Sequence, residues 1–185
     1  MTTVFIAGSI AISRLHRLVV DRIAKAVTAD LDIVVGDADG ADTSIQECLK
    51  QLDAKRVTVF CSGMKPRNNV GEWPIKSVEA TGAPGSRAFF TAKDLEMASV
   101  ADYGLMVWDS KSTGTLSNVI ELLKHKRKSV VFVNKIKDFI TVADVASLEG
   151  LLDLMSENAR FKAEDKISLS SKIRGLSQQQ LALTL

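Results

Sequence analysis

The chain has 185 residues, enough for one domain with a substantial core, and its apolar fraction of 46% with a mean hydropathy of +0.10 excludes a disordered chain. Twenty-four Lys and Arg stand against 22 Asp and Glu, a net charge of +2, too balanced to announce a membrane or a nucleic acid, so neither is expected as a partner. The apolar run at the start has no basic residue before it and meets Arg14 too soon to span a bilayer, and Cys48 and Cys61 are explained as free buried thiols. A cytoplasmic protein is expected.

Thr3 to Ala7 is a β-branched and aromatic run that stops at Gly8-Ser9, and apolar residues then recur at 15, 18, 19, 20, 23, 26 and 27 with helical spacing. Leu31 to Val35 is a second buried strand, and the turn from Gly36 to Asp42 opens a helix running to about Leu52. Lys55 to Cys61 is a third strand, nearer the sheet edge because its alternation is mixed. Residues 62–86 hold all three prolines and Gly63, Gly71, Gly82 and Gly85, which predicts a long functional or mobile loop with a short extended piece in 66–73. Arg87 to Val100 returns to helix, Tyr103 to Trp108 is a strand buried on both faces, Thr115 to His125 is a helix and Ser129 to Val133 a strand.

Five strands alternating with four helices predict an α/β fold, a Rossmann-like, doubly wound, mostly parallel sheet in the order 3-2-1-4-5 with helices on both faces. That domain is expected to span residues 1–134. Residues 135–185 are expected to be a helical and irregular appendage that packs on the sheet edge or on a second subunit, which makes a homodimer one of the expectations.

In a parallel sheet the turns after successive strands gather on one rim. Three of them carry glycine, at Gly8-Ser9, at Gly36 to Asp42 and at Ser112 to Thr115, and each precedes a helix start, which suits a phosphate as well as it suits a plain N-cap. Asp37, Asp39 and Asp42 would repel a phosphate beside them, so they are expected to meet ribose hydroxyls, base N–H groups or a bound cation, unless Asp39 and Asp42 simply cap their helix. Arg67 and Asn68 bring a fork of donors and an amide into the long loop, and Arg87, Lys93 and Asp94 lie on the approach to the fourth strand. Trp73 and Trp108 are candidates for base stacking, with Trp108 more at home in the core. His16 and His125 have no partner at ligand spacing, so no metal and no cofactor are expected.

On these residues the chain resembles the SLOG superfamily, the Rossmann-like group that contains the LOG-type nucleotide phosphoribohydrolases, the DprA single-strand DNA-binding proteins and the YspA-like nucleotide-binding domains. The resemblance covers about 1–134. Gly8-Ser9 is similar to the family's first glycine turn, and Gly36-Asp37-Ala38-Asp39-Gly40-Ala41-Asp42 resembles the G-x-x-x-G-A-D turn of the YspA-like branch, the closest of the three. Lys93 to Met97, Ala101-Asp102 and Ser112 to Thr115 resemble the LOG run, but the catalytic Glu of that branch is Asn118 here, and its Arg-Lys pair is Lys93-Asp94.

The resemblance implies a nucleotide or ADP-ribose-like ligand held by Gly8, Ser9, Gly36, Asp39, Asp42, Arg67, Asn68, Arg87, Ser112, Gly114, Thr115 and Asn118, with a sensing role among the expectations. It leaves two alternatives. One is an N-glycosidic hydrolase or deoxyribosyltransferase acting on a nucleoside monophosphate, with Glu121 or a rim Asp as its carboxylate. The other is single-stranded DNA binding of the DprA kind.

Overall fold

The computed structural model describes residues 1–80 and 82–182. In chain order the elements are β1 (Thr3–Gly8), α1 (Arg17–Thr28), β2 (Asp32–Gly36), α2 (Ala41–Gln51), β3 (Val57–Ser62), β4 (Ile75–Val78), α3 (Arg87–Val100), β5 (Tyr103–Trp108), α4 (Thr113–Lys124), β6 (Ser129–Val133), β7 (Asp138–Val142), α5 (Val145–Leu152), α6 (Glu157–Ile167) and α7 (Leu169–Leu181). The fold is α/β, with one sheet in the order β4-β3-β2-β1-β5-β6-β7. Every neighbouring pair is parallel apart from β7, which runs antiparallel to β6.

The five strands expected from sequence are the inner five, in the expected order, and the sheet has seven because each edge gains one. β4 follows the proline-rich loop; the Pro74 carbonyl accepts the Val59 N–H at 2.9 Å and so starts the pairing. β7 folds back from β6 through a tight turn in which Lys137 takes a left-handed backbone, φ 56°. Both edge strands are largely solvated, so neither carries the apolar run that marks the inner ones.

Along β1, Val4 and Ile6 face one layer while Phe5 and Ala7 face the other, and all four are buried. α1 and α2 cover the first face over Val35, Val59, Val107 and Phe132. The second face carries α3 and α4, and the C-terminal helices join the same core through Leu148, Leu151, Ala163 and Leu176. Residues 135–182 thus extend the sheet edge and thicken one layer.

From β1 the chain steps through β2 and β3 to β4 on one side, and α3 then carries it back across to β5 on the other side of β1. The direction of winding reverses between β1 and β5. Their C-terminal loops meet there, at the crevice position where open α/β sheets take ligands. Among the described residues no helix is long and apolar enough to cross a membrane.

Candidate functional site

At this crevice position Ser9 and the loop into α4 are bonded directly to each other. The Ser9 N–H donates to the Val107 carbonyl at 2.9 Å, while its hydroxyl accepts the Asp109 N–H at 3.1 Å and lies 3.2 Å from the Thr115 hydroxyl. Gly8 is required by space: a Cβ would sit 2.7 Å from Ala41 Cβ and 2.8 Å from the Val107 carbonyl oxygen. Asp109 shapes the opposite lip, its Oδ1 accepting the N–H groups of Lys111 and Ser112 at 2.9 and 2.7 Å.

Ser112 is the N-cap of α4, its hydroxyl accepting the Thr115 N–H at 3.4 Å. The Thr113 and Gly114 amides have no acceptor among the described residues, as expected of a helix start. No acidic side chain occupies the first turn, and the only atom within 4 Å of the position a Gly114 Cβ would take is Ser112 Oγ, at 3.9 Å. Two further groups stand ready. Ser110 holds a left-handed backbone, φ 65°, with its hydroxyl buried and unpartnered, and Asn118, one turn beyond Thr115, is 6% exposed with no hydrogen bond to its amide among the described residues. Free amides at the positive end of a helix, with hydroxyls and an amide nearby, can receive an oxyanion and an attached sugar.

A second cluster lies beneath the ends of β2 and β3. Lys93, 2% exposed, places its ammonium 2.7 Å from Asp94 and 3.9 Å from both Asp37 and Asp42. Gly36 lets these groups meet, since a Cβ there would collide with Asp42 Oδ2 and Lys93 Nζ. Burial works to lower the Lys93 ammonium but is outweighed by Asp94, Asp42 and Asp37, so the lysine stays charged. Burial pushes Asp42 up to about 6 against the pull of Lys93. At Asp37 burial is overcome by the hydrogen bonds from Arg67 and the charge of Lys93, which hold the carboxyl below its usual range.

The structure brings Gly8, Ser9, Ser112, Gly114, Thr115 and Asn118 together at the crevice. Gly36, Asp42, Arg67 and Asn68 belong to the second cluster, where the Asn68 amide donates to the Asp37 carbonyl at 2.9 Å and to exposed Asp39 at 3.0 Å. Arg87 opens α3 and is exposed, apart from both groups. Glu121 lies six residues beyond Thr115, about 9 Å further along the helix axis, and its carboxylate pairs with Lys124 at 2.7 Å and Lys172 at 3.9 Å. Both tryptophans are buried, the Trp73 indole N–H bonded to the Ala54 carbonyl and that of Trp108 to the Ser112 carbonyl, so neither offers a stacking face.

Sequence reading passes over Asp37, Lys93 and Gln46 as a unit. Gln46, fully buried, donates to the carbonyls of Gly36 and Asn68 and accepts the Val70 N–H at 2.8 Å, tying the long loop to β2. The signal available for Lys93 is its four-residue spacing from Met97 on the buried side of α3; for Gln46 it is the position beside Ile45 and three before Leu49 on α2.

No protein-family model matches the sequence, and no curated protein is significantly similar to it. Among solved structures, DNA processing protein A from Helicobacter pylori, described for its unique single-stranded DNA binding mode, matches with a TM-score of 0.56 at 19% identity, over 90% of this chain and 80% of that one. DNA processing protein A (DprA) from Streptococcus pneumoniae matches with a TM-score of 0.54 at 17% identity, over 89% of this chain. This chain spans 56% of that longer protein. The chain shares the DprA fold.

This likeness corrects the expectation that nucleic acid is no partner. That expectation rested on net charge, which ignores where the charges lie. The carboxylates of Asp37, Asp42 and Asp94 are held largely inside against Lys93 and Arg67, whereas Arg14, Lys65, Arg87 and Lys111 are exposed on loops or helix starts at the C-terminal rim and make no ion pair among the described residues. A chain of balanced charge therefore presents these cations at the rim, beside the exposed carboxylates of Asp39 and Glu79.

Proposed function

We propose that the chain binds single-stranded DNA along the C-terminal rim, with one backbone phosphate seated on the Thr113 and Gly114 amides. The observation that carries this reading is the α4 start itself, two acceptor-free amides beside an open glycine at the point where the winding reverses. Arg14, Lys65 and Lys111, exposed on the rim loops, supply the charge that follows a phosphodiester backbone. The DprA fold supports the same reading.

Fluorescence anisotropy of a labelled oligothymidylate at stepped salt tests it. Affinity falls steeply with salt, and replacing Arg14, Lys65 and Lys111 by Glu abolishes binding at low salt. Absence of salt-dependent binding by the parent overturns the reading.

A second reading is favoured by the Ser9 and Thr115 hydroxyls and the Asn118 amide, which has no hydrogen bond among the described residues, a set that suits a single sugar better than a long strand. It is a free nucleotide or ADP-ribose-like ligand in the same crevice, and the likeness of the Gly36 to Asp42 turn to the YspA-like branch supports it. Tight binding of ADP-ribose that displaces the oligonucleotide and varies little with salt selects this second reading.

A further inference from the structure

At the opposite end of the sheet from the rim, where β1, β5 and β6 begin, α1 does not close onto the strands, and a cavity of about 210 Å³ lies between them. Val19 and Ile23 fill the space under the first part of the helix, both fully buried, but the last turn offers only Ala26 and Ala29. The floor is apolar, made by Val4, Leu105 and Val130. The mouth is cationic.

Arg22, Lys25 and Tyr103 stand around the opening. The Arg22 guanidinium lies 4.9 Å from the centre of the Phe139 ring, which fixes its position without neutralising its charge. It is near enough to Tyr103 to oppose the rise that burial imposes on the phenol. Neither Arg22 nor Lys25 has an acidic partner among the described residues: Asp21 is taken by Arg17, Asp30 and Asp32 by Arg56, and Asp102 by Arg127. The Tyr103 hydroxyl likewise has no hydrogen bond among them.

We propose that this cavity is a binding site for a small aromatic carboxylate, its ring on the Val4, Leu105 and Val130 floor and its carboxylate held by Arg22 and Lys25 with the Tyr103 hydroxyl as a third donor. The volume sets the size of the ligand. An aliphatic cavity of about 150 Å³ holds a benzene ring, so the space here takes one ring and a short arm. The charge sets its chemistry, because two cations with no counterion favour an anion over a neutral ring of the same shape, and the guanidinium fork matches a carboxylate. The site stands at the far end of the strands and does not depend on what the rim binds.

Titration of the uniformly labelled full chain with phenylacetate, followed by amide shifts, tests the site, with benzyl alcohol as the neutral counterpart. Saturable shifts are expected at Ala26, Ala29, Leu105 and Val130, with benzyl alcohol about tenfold weaker. Combining Arg22→Gln with Lys25→Gln brings phenylacetate down to the level of benzyl alcohol. Ala29→Leu, on the exposed flank of the helix end where folding tolerates it, blocks both. Shifts that fail to saturate, equal affinity for the two probes, or shifts confined to the loops after β1 and β5 overturn the proposal.

Discussion

Arg67 reaches from the loop after β3 to clasp Asp37 at the end of β2, Nη2 donating to Oδ1 at 2.7 Å, Nε to Oδ2 at 3.2 Å and the backbone N–H to Oδ2 at 2.9 Å. The Asp37 carboxylate, where a dinucleotide-binding fold presents an acid to ribose, is therefore already engaged. Arg67→Ala leaves Asp37 with Lys93 at 3.9 Å as its remaining cation. The cost is about 2–4 kcal/mol, less than that of stripping a fully buried pair because the guanidinium is 38% exposed and water screens it. Urea unfolding measures the loss, and hydrogen exchange shows faster opening at Val70 and Trp73. An unchanged urea midpoint means that the clasp adds nothing to stability.

Asp42 makes stability depend on pH in the opposite sense to Asp37. Its carboxyl is raised from 3.8 to about 6, so its contribution is fully present below the unfolded value and is lost as pH rises through the folded one. Lys93, Asp94, Asp37 and the Ala38 N–H are the groups that face it. Asp42→Asn keeps the neutral form at every pH, and is expected to exceed the parent in stability above neutrality by up to about 3 kcal/mol, with the gap closing toward acid. Denaturant midpoints of the two proteins across the acid to neutral range decide it; a gap that does not vary with pH means that Asp42 does not titrate in this window.

Which parts of the molecule can be read in the sequence follows from burial. The inner strands are covered on both faces, so runs such as Val4 to Ala7 and Leu105 to Trp108 stand out, and the rule that parallel strands end on one rim then brings the glycine turns together. β4, with the sequence Ile-Lys-Ser-Val on a wet edge, has no such pattern. α6 turns Ala159, Ala163 and Ile167 inward, a stripe too small to distinguish it from a polar linker. Lys93 is harder still: its closest partner, Asp94, is the next residue, but Asp37 and Asp42, which complete the set that makes it tolerable inside, come from β2 and α2 about fifty residues earlier in the chain.

Gly114→Val tests the phosphate seat on α4. The position is open and lies in the first turn, so valine fits without displacing packed atoms, and stability should change by less than about 0.5 kcal/mol. The branched side chain covers the Thr113 and Gly114 amides. Oligothymidylate affinity is expected to fall about tenfold or more, with the slope against salt reduced by about one phosphate contact. Equal affinity in a folded variant makes this helix start a cap without a ligand.

The remaining prediction concerns turnover. Asn118 occupies the place of the carboxylate in the hydrolases that the sequence resembles, and the structure puts it one turn beyond Thr115 on the buried side of α4. An amide can bond a sugar hydroxyl, but it is neither a nucleophile nor an ordinary general base, and such groups carry about two to four orders of magnitude in rate. The other candidate, Glu121, is ion-paired with Lys124 and Lys172, about 9 Å further along the helix. Nucleoside monophosphates incubated with the chain should therefore release no free base by chromatography, and Asn118→Glu should gain weak release if the crevice holds the sugar in a reactive pose. Base release by the parent that Glu121→Gln abolishes would make this an N-glycosidase and assign Glu121 the carboxylate role.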